Sequence, residues 1–323
     1  MRLLNFATRI FLVGLMVSGA DLVSGQGFPN KPVRIVTSEP GGGLDFAARL
    51  ISQGITSSLG QPVIVENRGG AGGLIAIETV AKAQPDGYTL LLYGSTIWLV
   101  PFLRENVSYD PVRDFSPVIL AVSSPNIVVV HPSIAANSVK ELIALAKAKP
   151  GVLNYGSGAL GASSHLSVEL FKAMAGVNIV RIPYKGSGPA LNGLIAGQVQ
   201  VMFATSGGVV PHIKSGRLRA LAVTSAQPSA LMPDLPTVAA SGLPGYVSAS
   251  LGTIFAPAKT PAPLINRLNQ EMVRFLRTAD AKEQFLRSGV ETVGSTPAEL
   301  AATMKSEMAR LGKVIKDAGI REE

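Results

Sequence analysis

The chain has 323 residues, a formal net charge of +8, 47% hydrophobic and 6% aromatic residues, and no cysteine. That length suits two domains, and the absence of cysteine excludes disulfides and thiolate chemistry, so stability must rest on a packed core. The basic charge favours acidic ligands, but Lys and Arg form no run and are not interleaved with aromatic rings, which argues against a nucleic-acid partner and for small anions.

Arg2 and Arg9 precede an apolar run at 10–17, with small residues at Ser18, Gly19 and Ala20 and again at Ser24 and Gly25. Residues 1–25 read as a secretory signal peptide, with cleavage after Gly25 or Ala20 equally arguable. The run is short for a membrane span and there is no lipobox cysteine, so a released, soluble mature protein is expected. A strand pattern at 33–37 leads to Pro40-Gly41-Gly42-Gly43-Leu44-Asp45 and an amphipathic stretch at 46–59. Glycine there lets the backbone approach a ligand, and Asp45 reads as the N-cap of the helix. A strand at 63–66 runs into Glu66-Asn67-Arg68 and a glycine cluster, a tight turn before a helix near Leu74, with Arg68 solvated or paired. The strand at 89–93 ends in Tyr93-Gly94-Ser95-Thr96, whose hydroxyls and amides suit anion donation or helix capping.

Further strands are predicted at 118–122, 127–130, 178–182, 199–203 and 218–223. Helices are predicted at 139–148, 163–175, 189–195, 263–277 and 297–316, several of them opened by Ser, Thr or Pro. Such alternation argues for an α/β protein. Between 154 and 165, Gly156, Gly158 and Gly161 spell G-x-G-x-x-G, a loop whose amides and following helix dipole suit phosphate or carboxylate equally. A dinucleotide would need an acidic residue about 20 positions on. The next strand ends instead in Tyr184-Lys185-Gly186, so no nicotinamide or flavin cofactor is expected.

Catalytic constellations are missing or isolated. His131, His165 and His212 lie far apart, without a zinc-binding H-E-x-x-H, and there is no G-x-S-x-G elbow. Ser163 and Ser164 adjoin His165, but neighbours along a helix point to different faces, so His165 reads as a capping or packed histidine. A secreted serine hydrolase using the 157–165 loop is the rival from another class.

Several segments occur in a fixed order: Phe28-Pro29-Asn30-Lys31-Pro32, Gly41-Gly42-Gly43-Leu44-Asp45, Glu66-Asn67-Arg68 and Pro85-Asp86-Gly87-Tyr88-Thr89-Leu90. Tyr155-Gly156-Ser157-Gly158 through His165-Leu166, Ile182-Pro183-Tyr184-Lys185-Gly186, Leu235-Pro236-Thr237 and Ala256-Pro257-Ala258-Lys259-Thr260-Pro261 follow. With them the chain resembles, from about 28 to 320, the periplasmic substrate-binding proteins of tripartite tricarboxylate transporters, the Bug family. The resemblance implies a two-lobed periplasmic-binding-protein fold of the Venus-flytrap, type II-like kind, with two interlobe crossings. Lobe one would comprise 26–124 plus 246–323 and lobe two 125–245, with Pro and Gly at Ser123-Ser124-Pro125 and Gly242-Leu243-Pro244-Gly245 supporting the crossings.

It also implies a receptor that catalyses nothing, a monomer without cofactor or metal, delivering a small carboxylate to membrane transporter subunits. A receptor for an ABC-type importer is the alternative among binding proteins. The matching ligand residues are Gly41, Gly42, Asp45, Ser95, Ser157, Gly158, Gly161, Ser163, Ser164, His165, Tyr184 and Lys185, acting through amides, hydroxyls and bridging water. Two departures stand out. Gln200 and Thr205 occupy positions where many members carry Asp, so if Thr205 lines the cleft an ammonium group finds no counter-charge and a plain organic acid is favoured over an amino acid. Leu251 stands where members often have Trp.

Overall fold

The computed structural model describes residues 27–38, 40–70, 73–158 and 160–321, so the signal-peptide reading falls outside the described residues. Strands β1 (Val33–Thr37), β2 (Val63–Asn67) and β3 (Thr89–Tyr93) are parallel neighbours. Parallel pairing requires long crossovers, supplied by helices α1 (Gly43–Leu59) and α2 (Leu74–Ala81). After α3 (Thr96–Leu103), the long strand β4 (Phe115–Val130) follows. The chain continues through α4 (Val139–Ala148), β5 (Asn154–Ser157), α5 (Ser163–Ala175), β6 (Val180–Pro183), α6 (Ser187–Ile195) and β7 (Val201–Thr205). Then come α7 (Ser206–Lys214), β8 (Arg219–Val223), β9 (Ala249–Pro257), α8 (Ala262–Leu276), α9 (Ala279–Arg287), β10 (Glu291–Thr292) and α10 (Pro297–Asp317).

β4 corrects the sequence reading, which expects separate strands at 118–122 and 127–130. Ser123, Ser124 and Pro125 interrupt the apolar pattern but not the extended backbone, because β9 pairs antiparallel with β4 as far as Pro125, opposite Ala249. From Asn126 onward β4 pairs antiparallel with β7 and β8 instead. The strand order is β2-β1-β3-β9-β4-β7-β5-β6, with β10 and β8 also on β4, so this single strand belongs to two sheets.

Buried polar groups stitch the region where β4 passes from one sheet to the other. The Asn126 N–H donates to Thr224 Oγ1 (2.8 Å), and the Thr224 N–H returns a bond to Asn126 O (2.9 Å). The Ser248 N–H donates to Thr224 O (2.9 Å), tying in the chain segment that enters β9. Ser167 of α5 accepts from Asn126 Nδ2 (2.8 Å), and its Oγ lies 2.6 Å from Ser248 Oγ. Buried networks specify one geometry to the extent that they are satisfied, and here Asn126 Oδ1 has no partner among the described residues.

The main apolar core runs through both sheets. Trp98, Phe255 and Phe115 pack edge to face on one side, and Phe171, Phe203 and Tyr246 do so on the other. α10 begins with a capping box between Thr296 and Glu299 and buries Leu300, Leu311 and Ile315. It packs on β4, α3 and α5. Among the described residues no helix is long and apolar enough to cross a membrane.

Candidate functional site

The C-terminal ends of β1, β3 and β5 each lead through a glycine-bearing loop into a helix. The loops after β1 and β5 match residue for residue in their offsets. β1 ends at Thr37, and four residues on Gly41 takes φ 79°; β5 ends at Ser157, and four residues on Gly161 takes φ 74°. Positive φ of this kind favours glycine. Four residues further, a side chain reaches back to the glycine amide. The Gly41 N–H donates to Asp45 Oδ2 (2.9 Å), and the Gly161 N–H donates to His165 Nδ1 (3.1 Å).

Asp45 is therefore a loop brace and not the N-cap expected from sequence. Gly42 is the N-cap of α1, and Asp45 lies in the first turn. Its oxygens also accept from Arg49 Nε (3.1 Å) and Asn67 Nδ2 (2.9 Å), and Arg49 forms an ion pair with it at 3.0 Å. Burial works against the charge, but hydrogen bonds from Arg49, the Gly41 N–H and Asn67 outweigh it and hold the carboxyl down to about 2. This stabilisation is complete above the ordinary carboxylate pKa and is lost as the pH falls from about 4 towards 2. Asp45→Asn turns a donor towards Arg49 or Gly41, and a loss of about 1.5 kcal/mol is expected in urea unfolding. An unchanged midpoint would show that the brace contributes nothing.

His165 is 2% exposed and stacks over the Tyr155 ring at 6.5 Å. Desolvation, followed by the charge of Arg181, pushes its pKa down to about 4, so the ring is neutral near pH 7 and carries its proton on Nε2 while Nδ1 accepts. Its bond goes to Gly161 and to no serine, which leaves the hydrolase reading without its base. Both braces thus present no net negative charge, since Asp45 is paired with Arg49 and His165 is neutral.

α1 and α5 both lack a side-chain cap. Their first amides and the positive ends of their dipoles therefore remain available to an anion. Both helix starts border one cavity of about 150 Å³, reached by Leu44 from α1 and by Gly161 and Ser163 from the β5 loop. Ser95, the N-cap residue of α3, lines it too, without making a side-chain cap bond. Ser164 Oγ and Thr37 Oγ1 are buried and have no hydrogen-bond partner among the described residues, leaving their hydroxyl donors free.

The remaining predicted residues are placed differently. Ser157 is fully buried, and its Oγ accepts from Arg181 Nε (2.9 Å), while the Gly158 carbonyl accepts from Arg181 Nη2 (3.0 Å). Ser157 Oγ is thus engaged as an acceptor by a guanidinium at a fully buried position. Tyr184 turns back along α6, where a Cβ on Gly193 would come within 2.2 Å of its hydroxyl, and that hydroxyl reaches Gln198 Oε1 at 3.4 Å. Lys185 is exposed in the turn before α6. Thr205 is exposed as the N-cap residue of α7, and Gln200 is engaged with Asn154 and Gly197. Sequence reasoning missed Arg181, Arg49 and the bracing role of Asn67, and also Leu99, which lines the cavity beside the already named Ser95 and Thr96. Their only sequence signal is proximity to the glycine loops or to Ser95.

The family model described as tripartite tricarboxylate transporter family receptor matches residues 47–320. Protein BugT of Bordetella pertussis is 35% identical over 324 residues, covering 98% of this chain and 99% of that protein. Among solved structures, R. palustris Rpa4515 with adipate is 38% identical with a TM-score of 0.74, covering 90% of this chain and 98% of that one. MatC (Rpa3494) from Rhodopseudomonas palustris with bound malate is 30% identical with a TM-score of 0.69, covering 89% and 100%. With the two-sheet fold joined at β4 and paired glycine loops on one cavity, the chain belongs to the tripartite tricarboxylate transporter receptor family, whose members are solute-binding receptors and not enzymes.

Proposed function

We propose that this receptor captures a small organic carboxylate between two lobes in the periplasm and delivers it, as a monomer, to membrane subunits of a tripartite-type transporter. The observation that carries the reading is the pair of uncapped helix starts, α1 and α5, bordering one cavity. Two amide clusters of this kind suit the oxygens of one carboxylate. Relatives solved with adipate and malate support the ligand class. Lobe one is residues 26–124 plus 246–323 and lobe two is 125–245, a division supported by the change of partner strands at Pro125 and Asn126. Residues 1–25 are the export signal. The contacts are the uncapped first-turn amides of α1 and α5, with those of Gly42 and Gly158 and the hydroxyls of Ser95, Ser163 and Ser164, while the Gly41 and Gly161 amides are held by Asp45 and His165. Asp45, Ser157 and His165 hold these loops in shape, and Lys185 adds positive charge at the rim.

Ligand shared by the two lobes stabilises the closed state selectively. A thermal-shift screen of mono-, di-, tri- and aromatic carboxylates tests the reading. At 100-fold excess over Kd a true ligand adds about 2.7 kcal/mol of stability. A screen in which no carboxylate raises the midpoint would refute the ligand class.

A further inference from the structure

The cavity beside the glycine loops has a second property that a generic anion site does not need. None of the residues that line it is charged, and five are leucines: Leu44, Leu99, Leu166, Leu251 and Leu311. They come from α1, α3, α5, β9 and α10, so five separate elements converge to build an aliphatic wall. Leu99, Leu166, Leu251 and Leu311 are each less than 9% exposed. Five hydroxyl residues, Ser95, Thr96, Ser163, Ser248 and Ser250, line the same cavity, and of these Ser248 Oγ is bonded to Ser167 Oγ. Arg310, the neighbour of Leu311, donates to Val247 O and lies beside Glu307, which employs its charge elsewhere. At about 150 Å³ the space equals about five waters at ~30 Å³ each, enough for a short alkyl chain or one ring.

A carboxylate held at the helix starts has its carbon atoms next to these leucines. An apolar carbon body gains by leaving water there, whereas an added hydroxyl, ammonium or further charge loses hydration and meets aliphatic side chains. We infer that the ligand is a carboxylate with an apolar carbon body, an unsubstituted aliphatic chain or an aromatic ring, lodged among Leu44, Leu99, Leu166, Leu251 and Leu311. This rests on the carboxylate reading above and narrows it. Of the ligands found in the two relatives, it sides with the methylene chain of adipate over the hydroxylated malate.

Calorimetric titration of the purified protein with two matched sets tests the inference. The first set is the ladder succinate, glutarate and adipate, and the second pairs succinate with malate and tricarballylate with citrate; benzoate and hexanoate extend the panel to single carboxylates. The expected result is an affinity gain of about fourfold per added methylene along the ladder. Each hydroxylated acid should bind more weakly than its unsubstituted partner. Leu251→Asn should flatten the ladder to less than twofold per step, and Leu166→Ala is the second variant if the first loses its fold. A flat ladder in the unaltered protein, malate or citrate binding more tightly than its partner, or a full ladder surviving in a folded variant would each overturn the inference while leaving the carboxylate reading intact. Absence of binding by every acid in the panel would instead remove the carboxylate reading itself.

Discussion

Gly161→Val is expected to lower unfolding stability by about 3–4 kcal/mol and to weaken carboxylate binding by at least about tenfold. Two causes act together. Gly161 sits at φ 74°, where a β-branched residue is strained by about 1–3 kcal/mol. A Cβ there would also lie 2.6 Å from Leu103 Cδ1 of α3, so the buried Leu103 side chain must be displaced. Such overpacking adds about 1–3 kcal/mol, and the displaced amide loses its bond to His165. Gly41→Val separates the two contributions. Its φ is 79° but a Cβ at Gly41 meets nothing within 4 Å, so only the backbone strain applies. Urea unfolding of both variants should therefore rank Gly161→Val well below Gly41→Val; equal losses would show that the contact with Leu103 is irrelevant.

The second large effect is a loss of stability in mild acid, caused by His165. Its pKa lies at about 4 in the folded protein against an ordinary value of 6.5, so the unfolded chain takes up the proton first. Stability is therefore complete above about pH 6.5, drains as the pH falls towards 4, and levels off below that. At ~1.36 kcal/mol per unit the total loss is about 3 kcal/mol. The structural cause is plain: a protonated Nδ1 would point a donor at the Gly161 N–H, inside a site already facing Arg181. His165→Asn keeps an acceptor near the Gly161 amide but cannot take up a proton in this range. Unfolding curves at steps from pH 7.5 to 4 should slope for the unaltered protein and flatten for the variant. Parallel slopes would rule His165 out as the source. The Asp45 contribution falls at lower pH, between about 4 and 2, so the two can be told apart.

These residues also show what a sequence reader can extract and what escapes. Gly41 and Gly161 were legible as loop glycines, and both take a left-handed backbone that favours glycine, while the α/β alternation followed from apolar periodicity. The equivalence of the two loops was not legible, since Asp45 and His165 do the same job with different chemistry and leave no repeated residue. β9 was missed because Gly252 and the serines break its apolar run; a Cβ at Gly252 would come within 2.5 Å of Val122 Cγ2, so close strand approach requires the gap. α3 and α7 were missed because each contains an internal proline, Pro101 and Pro211, which reads as a helix breaker. Arg181 carries no sequence sign of its role, because its partners Ser157 and Gly158 lie on another strand and only tertiary folding brings them together.

The double membership of β4 has a consequence for the order in which the molecule can be made. A chain that emerges from its N-terminus first produces β4 more than a hundred residues before β9, its partner up to Pro125, and longer still before α10, which packs on it. The second sheet, by contrast, has all its strands by Val223. Synthesis thus completes the inserted half first and leaves Val118, Ile119 and Ala121 uncovered until the tail arrives. A premature stop before Ala249 would not give a shortened receptor; it would give a finished half attached to an apolar strand without β9 beside it or the helix Ala262–Leu276 over it, a natural target for proteolysis or aggregation.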